Sequence, residues 1–189
     1  MNVIYLLFVA AMLVPFQAIM YPLISIMESL SLKNLLGLII MYTGFGISMS
    51  VFMMTGYIKG IPRDIEESAL IDGANIFQIF FRILLPLVKP MIITIVILNG
   101  MWIWNDYLLP SLMLGQNGKV KTLPVAVQAF VGSYVKQWDL ILTAALLAMI
   151  PMIIVFLLAQ KQIMNGMVEG AIKSVSYTHL RAHETVLDL

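Results

Sequence analysis

Three stretches of the sequence run for more than twenty residues without a charged side chain, at 1–27, 34–58 and 140–160. A helix needs about 20 apolar residues to cross the hydrocarbon core of a bilayer. A fourth stretch, 90–114, is interrupted only by Asp106 and is also long enough. The pattern therefore predicts four transmembrane helices.

The predicted fold class is all-α, a polytopic membrane helical bundle. Hydrophobic residues make up 61% of the chain and charged residues 11%, and a soluble fold of this length could not bury so much apolar surface. Prolines such as Pro15 and Pro22 should be tolerated inside the spans, because neighbouring helices can satisfy the carbonyls that they free. The predicted spans lie near 1–27, 34–58, 90–114 and 139–160.

Charge and residue types exclude several functions. The net charge of +1 provides no electrostatic basis for a nucleic-acid partner. The chain has no cysteine, and its two histidines, His179 and His183, lie in the last eleven residues. We therefore predict that this chain has no metal site, no catalytic residue and no bound cofactor. The lipid bilayer is its predicted environment.

A polar segment at 61–86 separates the second and third spans. Pro62 suits a first helical turn, and the acids that follow it favour the positive end of a helix dipole. A short helix is predicted from about Pro62 to Ile71. Basic residues near this segment and after the last span outnumber those in the other connections, which favours a cytoplasmic segment. The six are Lys59, Arg63, Arg82, Lys89, Lys161 and Lys173, against Lys33, Lys119, Lys121 and Lys136.

The second half of this segment is predicted to be a hinge and another helix. Gly73 readily adopts the left-handed conformation that ends a helix. Asn75 can cap a more apolar helix, which should pack back against the bundle and stop before Pro86. From the residues alone, this element is equally an ordinary interfacial loop or a rigid handle for a partner protein.

The same segment resembles the EAA loop of the inner-membrane permease subunits of binding-protein-dependent ABC importers, whose pattern is E-A-A, x3, G, x9, I-x-L-P. The one departure is Ser68 for the first alanine, and serine is also small. The likeness extends from residue 1 to about 174, including "WIWNDYLLP" and "GMVEGAIKS", and is closest to the smaller permease subunit of maltose-type systems. The matching loop residues are Glu67, Ser68, Ala69, Gly73, Ile83, Leu85 and Pro86.

The resemblance implies a permease subunit that imports a sugar or oligosaccharide across a bacterial or archaeal plasma membrane. Its partners would be a second permease subunit in a heterodimer, cytoplasmic ATP-binding subunits and an extracytoplasmic solute-binding protein. The chain has no G-x-x-x-x-G-K-[ST] motif, so the partner subunit would bind and hydrolyse ATP.

In this family the loop is a coupling helix that docks in a groove of the ATPase subunit. Carried over, Glu67 would be a polar anchor, Ser68 and Ala69 would make the close-packed contact, and Gly73 would form the bend. The second helix would be seated by Ile83, Leu85 and Pro86.

The two ends of the chain also carry expectations. The family has six spans, so we expect about two to be missing at the N-terminus, and the permease domain to occupy 1–174. The remaining residues, 175–189, read "VSYTHLRAHETVLDL". They resemble translated sequencing-adaptor DNA and are expected to be a non-native polar tail.

Polar residues in the third span are candidates for a substrate path. A sugar path would use aromatic faces for stacking and amide or carboxylate groups for hydroxyls, and Trp104, Asn105 and Asp106 meet that requirement. The alternative is that Trp104 and Tyr107 belong to an interfacial aromatic belt, with Asp106 reaching water.

Two other functional classes compete with an ABC permease. A secondary, ion-coupled transporter would place carboxylates near the bilayer midplane, and the central halves of these spans lack charge. An intramembrane enzyme would need a catalytic constellation that the spans do not contain.

Overall fold

The computed structural model describes residues 3–115, 120–128, 130 and 138–184, with side chains described as far as Lys161. Within these residues the regular structure is entirely helical, so the predicted all-α class is confirmed. The helices are α1 Val3–Leu13, α2 Phe16–Ser29, α3 Leu35–Lys59, α4 Asp64–Ile71, α5 Ile76–Gln78, a π-helical segment Ile79–Leu84, α6 Leu85–Asn105, α7 Leu108–Leu114, α8 Leu123–Gln128 and α9 Trp138–Glu184.

Three of the described helices are long and apolar enough to cross a membrane: Leu35–Lys59, Ile76–Asn105 and Trp138–Lys161. A fourth candidate span is the pair α1 and α2, which are bent by 103° relative to each other. The break lies at Pro15, whose backbone is extended at ψ 135°. Proline disfavours helical geometry in the residue before it, so this proline divides the predicted span.

The third predicted span, 90–114, has the wrong boundaries. The helix begins before Pro90 and ends at Asn105, and α7 is a separate short helix. The Asp106 carboxylate accepts a hydrogen bond from the Leu108 N–H at 3.0 Å, which satisfies an amide at the start of α7. Asp106 therefore marks the end of one helix and the start of the next.

The prediction that the second loop helix stops before Pro86 is wrong. The backbone passes from α5 through the π-helical segment directly into α6. Proline lacks an N–H and clashes with the carbonyl four residues earlier in a regular α-helix. Here the Leu85 N–H bonds the Phe80 carbonyl, five residues back, and this wider turn carries the helix past Pro86.

The chain divides into two compact units. The first contains Met1–Val51 and Ile97–Leu158. Its core is formed by buried side chains of α2, α3 and α7, and aromatic rings pack beside it, with Phe16 against Phe45 and Tyr42 against Trp102. The buried core residues are Met27, Leu38, Met41, Tyr42, Leu109 and Met113.

The second unit contains Phe52–Val96 and Ala159–Leu189. Its buried residues include Ala69 of α4 and Ile79 of the π-helical segment. The Tyr57 hydroxyl donates a hydrogen bond to the Leu87 carbonyl at 3.2 Å, which ties the end of α3 to the start of α6. Backbone of the predicted tail is helical from residue 175 to Glu184 as part of α9, and the domain boundary at 174 stays a prediction.

Candidate functional site

The segment between α3 and α6 is a helix, a hinge and a helix. Helix α4 has three acidic residues in its first turn, Asp64, Glu66 and Glu67. Negative charge there is stabilised by the amide dipoles at the helix N-terminus. The helix begins two residues after the predicted start at Pro62.

Gly73 ends α4 in the way that the sequence predicts. Its φ is +81°, a left-handed conformation that glycine adopts without steric cost. The Gly73 N–H bonds the Leu70 carbonyl and the Ala74 N–H bonds the Ala69 carbonyl, each at 3.0 Å. These two bonds form a Schellman motif, which satisfies the last carbonyls of the helix.

Asn75 starts the next helix, also as predicted. Its side-chain oxygen accepts from the Gln78 N–H at 2.8 Å, and the Gln78 side chain accepts from the Asn75 N–H at 2.9 Å. This reciprocal pair is a capping box. One end of the two-residue hinge is therefore fixed by backbone hydrogen bonds and the other by bonds between side chains and backbone, and the element is a defined bend.

The residues of the E-x-A-x3-G part of the pattern differ in exposure. Ala69 is buried at 6%, whereas Glu67 and Ser68 are exposed. The Ser68 hydroxyl donates to the Ile65 carbonyl of its own helix at 3.1 Å. Beyond the hinge, Ile83 and Leu85 are half-buried and Pro86 is exposed.

Exposed apolar side chains surround the hinge, and this exposure was not predicted from the sequence. We expected the second helix to pack back against the bundle, and Ile79 is buried, but the side chains before and after it are not. We call this set the hinge surface; its members are Leu70, Ile71, Ile76, Phe77 and Phe81, with exposed fractions of 55%, 86%, 77%, 75% and 60%. Ile76, Phe77 and Phe81 belong to a candidate membrane span, and exposed apolar side chains at its start are available for contact with lipid or with a partner protein.

The three candidates for the substrate path have different surroundings. The Asp106 carboxylate accepts from the Tyr42 hydroxyl at 3.0 Å and from the Leu108 N–H, so both of its oxygens have partners. The Trp104 indole N–H donates to the Ala148 carbonyl of α9 at 3.2 Å. The Asn105 side-chain NH₂ donates to the Met101 carbonyl at 2.7 Å.

Trp104 and Asn105 line a cavity of about 590 Å³ formed by α6, α8 and α9 in the first unit, and Asp106 does not. The structure thus brings two of the three candidates together. Asp106 lies instead at the contact between α3 and α6.

A second polar contact joins α3 to α6 within the first unit. The Asn99 side-chain NH₂ donates to the Ser50 hydroxyl at 3.1 Å. Gly46 makes the approach possible, because a Cβ at that position would lie 3.1 Å from the Asn99 side-chain oxygen. Small and polar residues hold membrane helices together in this manner. The sequence signal is the spacing of Tyr42, Gly46 and Ser50, which places them on one face of α3.

Replacing Tyr42 by phenylalanine is expected to lower the thermal stability of the subunit. The change removes the donor to Asp106 and leaves one oxygen of a half-buried carboxylate without its partner, which costs about 1–3 kcal/mol. Thermal melting of the purified subunit in detergent measures the effect. Tyr21→Phe is the control, because Tyr21 is 74% exposed; equal melting temperatures for the two variants would contradict a structural role for the Tyr42–Asp106 bond.

The comparison with protein families gives one match over most of the chain. The family described as "Binding-protein-dependent transport system inner membrane component" matches residues 1–169.

Individual relatives agree with that match. A probable starch degradation products transport system permease protein of Thermoanaerobacterium thermosulfurigenes is 43% identical over 90% of this chain and 62% of its own length. A multiple sugar-binding transport system permease protein of Streptococcus mutans is 38% identical over 91% of this chain and 62% of its own. A melibiose/raffinose/stachyose import permease protein of Bacillus subtilis is 37% identical, over 90% and 62%. The chain thus spans less than two thirds of the length of these relatives.

Proposed function

Because the chain belongs to the family of inner membrane components of binding-protein-dependent transport systems, we propose that it is a permease subunit of an ABC importer for carbohydrate. The names of the three relatives support the substrate class, since each refers to sugars or starch products. The subunit forms part of the translocation path in the plasma membrane and does not hydrolyse ATP itself.

The observation that carries this proposal is the element from Asp64 to Leu84. It follows the candidate span Leu35–Lys59 and continues into the first residues of the candidate span Ile76–Asn105. Its hinge is fixed by a Schellman motif and a capping box, and its apolar hinge surface is exposed. A rigid bend with exposed apolar side chains is suited to transmit movement from a partner into the spans. We assign this element the role of coupling helix, docked on a cytoplasmic ATP-binding subunit.

Within this element the proposed contacts follow the exposure of the side chains. Glu67 is the polar anchor at the exposed face of α4, with Ser68 beside it. Ala69 is buried, so its small size allows close packing, and Gly73 forms the bend. The half-buried Ile83 and Leu85 seat the second helix together with Pro86.

The transporter also requires partners that are not part of this chain. A second permease subunit completes the path as a heterodimer, and an extracytoplasmic solute-binding protein delivers the sugar. In the described part of this chain, Trp104 and Asn105 belong to the substrate path, and Asp106 supports it by holding α7 and α3 in place.

Changing Glu67 to lysine in the full-length subunit, assembled with its partners, tests the coupling role. The change places a positive charge at position 67, where the proposed docking interface has a negative one, and such a mismatch weakens association strongly. ATP hydrolysis stimulated by the loaded binding protein, and uptake into proteoliposomes, are both expected to fall at least about tenfold, equivalent to about 1.4 kcal/mol.

Asp72→Lys is the matched control for that experiment. It makes the same change of charge on the same exposed element, and a lysine at the C-terminal end of α4 is compatible with the helix dipole. Its activities should stay close to wild type. Wild-type hydrolysis and uptake in the Glu67→Lys transporter would refute the assignment of a coupling helix.

A further inference from the structure

The cavity between α6, α8 and α9 has the chemistry of a sugar site. Its volume of about 590 Å³ lies within the range of about 300–1,000 Å³ of small-molecule sites. Aromatic side chains, Trp104, Tyr107 and Phe156, and amide side chains, Asn105 and Gln128, line it among apolar residues. None of the described lining residues carries a formal charge.

Trp104 is held in place before any ligand binds. Its indole N–H bonds the Ala148 carbonyl of α9 at 3.2 Å, in the turn of the helix that precedes Pro151. This bond holds the ring against α9, so less side-chain entropy is lost when a ligand stacks on it. An aromatic face carries partial negative charge, which attracts the C–H face of a pyranose ring.

The two amides supply complementary hydrogen-bonding groups. The Asn105 side-chain NH₂ donates to the Met101 carbonyl. The Asn105 side-chain oxygen can then accept a hydrogen bond from a sugar hydroxyl. Gln128, at the end of α8, is exposed and provides one acceptor and two donors. Hydroxyl groups need both donors and acceptors, and an uncharged lining offers nothing to compensate a phosphate or carboxylate.

We infer that this cavity is a transient subsite for one uncharged pyranose unit, with Trp104 as the stacking platform and Gln128 as the principal hydroxyl-binding side chain. The inference rests on the proposed function and adds the charge class of the solute and Gln128. Asp106 is a positioning residue in this arrangement, since Tyr42 and the Leu108 N–H occupy its carboxylate.

The experiment uses the full-length subunit in the assembled transporter, reconstituted in proteoliposomes with its binding protein. Uptake of radiolabelled maltotriose and raffinose identifies a transported neutral sugar, and the number of sugar molecules moved per ATP is then measured for each variant. Gln128→Leu removes the amide and keeps a side chain of similar size. It is expected to lower sugar moved per ATP about tenfold, as the loss of one hydrogen bond to a hydroxyl predicts, while ATP hydrolysis stays within about twofold of wild type.

Three further variants keep the result independent of folding. Trp104→Phe retains an aromatic face but loses the bond to Ala148, and should lower the same ratio less than Trp104→Ala does. Gln17→Leu makes the same chemical change on α2, away from the cavity lining, and should leave the ratio unchanged.

Two outcomes would overturn the inference, and a third would overturn the proposed function. A ratio in Gln128→Leu equal to that in Gln17→Leu would overturn it, and so would uptake of a phosphorylated form of the transported sugar as fast as that of the sugar itself. A transporter that hydrolyses ATP in response to its binding protein and moves a charged solute but neither neutral sugar would instead refute the carbohydrate assignment itself.

Discussion

Replacing Gly73 by proline in the full-length subunit is expected to abolish coupled transport, with uptake reduced at least about a hundredfold. Gly73 has φ +81°, whereas proline is confined to φ near −65°. Proline also lacks the N–H that bonds the Leu70 carbonyl. The bend between α4 and α5 therefore cannot form, and the hinge surface loses its shape. Binding-protein-stimulated ATP hydrolysis and uptake by the assembled transporter measure the loss.

A graded series at Gly73 separates the backbone effect from side-chain crowding. A Cβ at this position would meet no atom within 4 Å, so space is not limiting. Asparagine tolerates the left-handed conformation and keeps the N–H, and should preserve most activity. Alanine should be intermediate, at a cost of about 1–2 kcal/mol. If Gly73→Pro couples as well as Gly73→Asn, the bend does not transmit force.

The hinge could be predicted from the sequence because its determinants are local. Gly73 has its bonding partner three residues away, and Asn75 and Gln78 cap each other across three positions. The exposed hinge surface could not be predicted in the same way. A run of apolar residues indicates burial, and only the packed structure shows that the Ile76 and Phe77 side chains are 77% and 75% exposed.

The candidate substrate site could not be predicted in this way, because contacts between residues far apart in the sequence determine its arrangement. Tyr42 and Asp106 are 64 residues apart, and Trp104 bonds a carbonyl 44 residues away. The sequence placed Trp104, Asn105 and Asp106 together because they are consecutive. Their partners lie on different helices, so Asp106 became a structural group and only the first two residues line the cavity.

The sequence predicted the effect of only some of the prolines on the helices. Pro22 lies inside α2 as expected, yet Pro15 divides α1 from α2 and Pro86 lies inside a continuous helix. Whether a proline breaks a helix depends on whether the backbone can widen locally or satisfy the freed carbonyl. The π-helical segment provides that widening before Pro86.

Gly37→Ala is expected to cause the largest loss of stability among the four glycine-to-alanine changes in α3. A Cβ at Gly37 would overlap the backbone carbonyl oxygen of Leu32 and lie 3.0 Å from the end of the Met113 side chain. The Leu32 carbonyl cannot move freely, because the Leu32 N–H is bonded to the Met27 carbonyl at 2.7 Å. The melting temperature of the assembled subunit should fall by roughly 10 °C or more, with a reduced yield of folded protein.

The control for this prediction is Gly44→Ala on the same helix. A Cβ at Gly44 would meet nothing within 4 Å, and alanine in a helix is more stable than glycine by about 0.5–1 kcal/mol. Gly44→Ala should therefore melt at or slightly above the wild-type temperature. The Gly37 N–H also bonds the Asn34 side chain at 3.1 Å, and alanine retains that N–H, so a lower melting temperature reports the steric overlap alone. Equal melting of the two variants would contradict the close approach of the Leu32 carbonyl to Gly37.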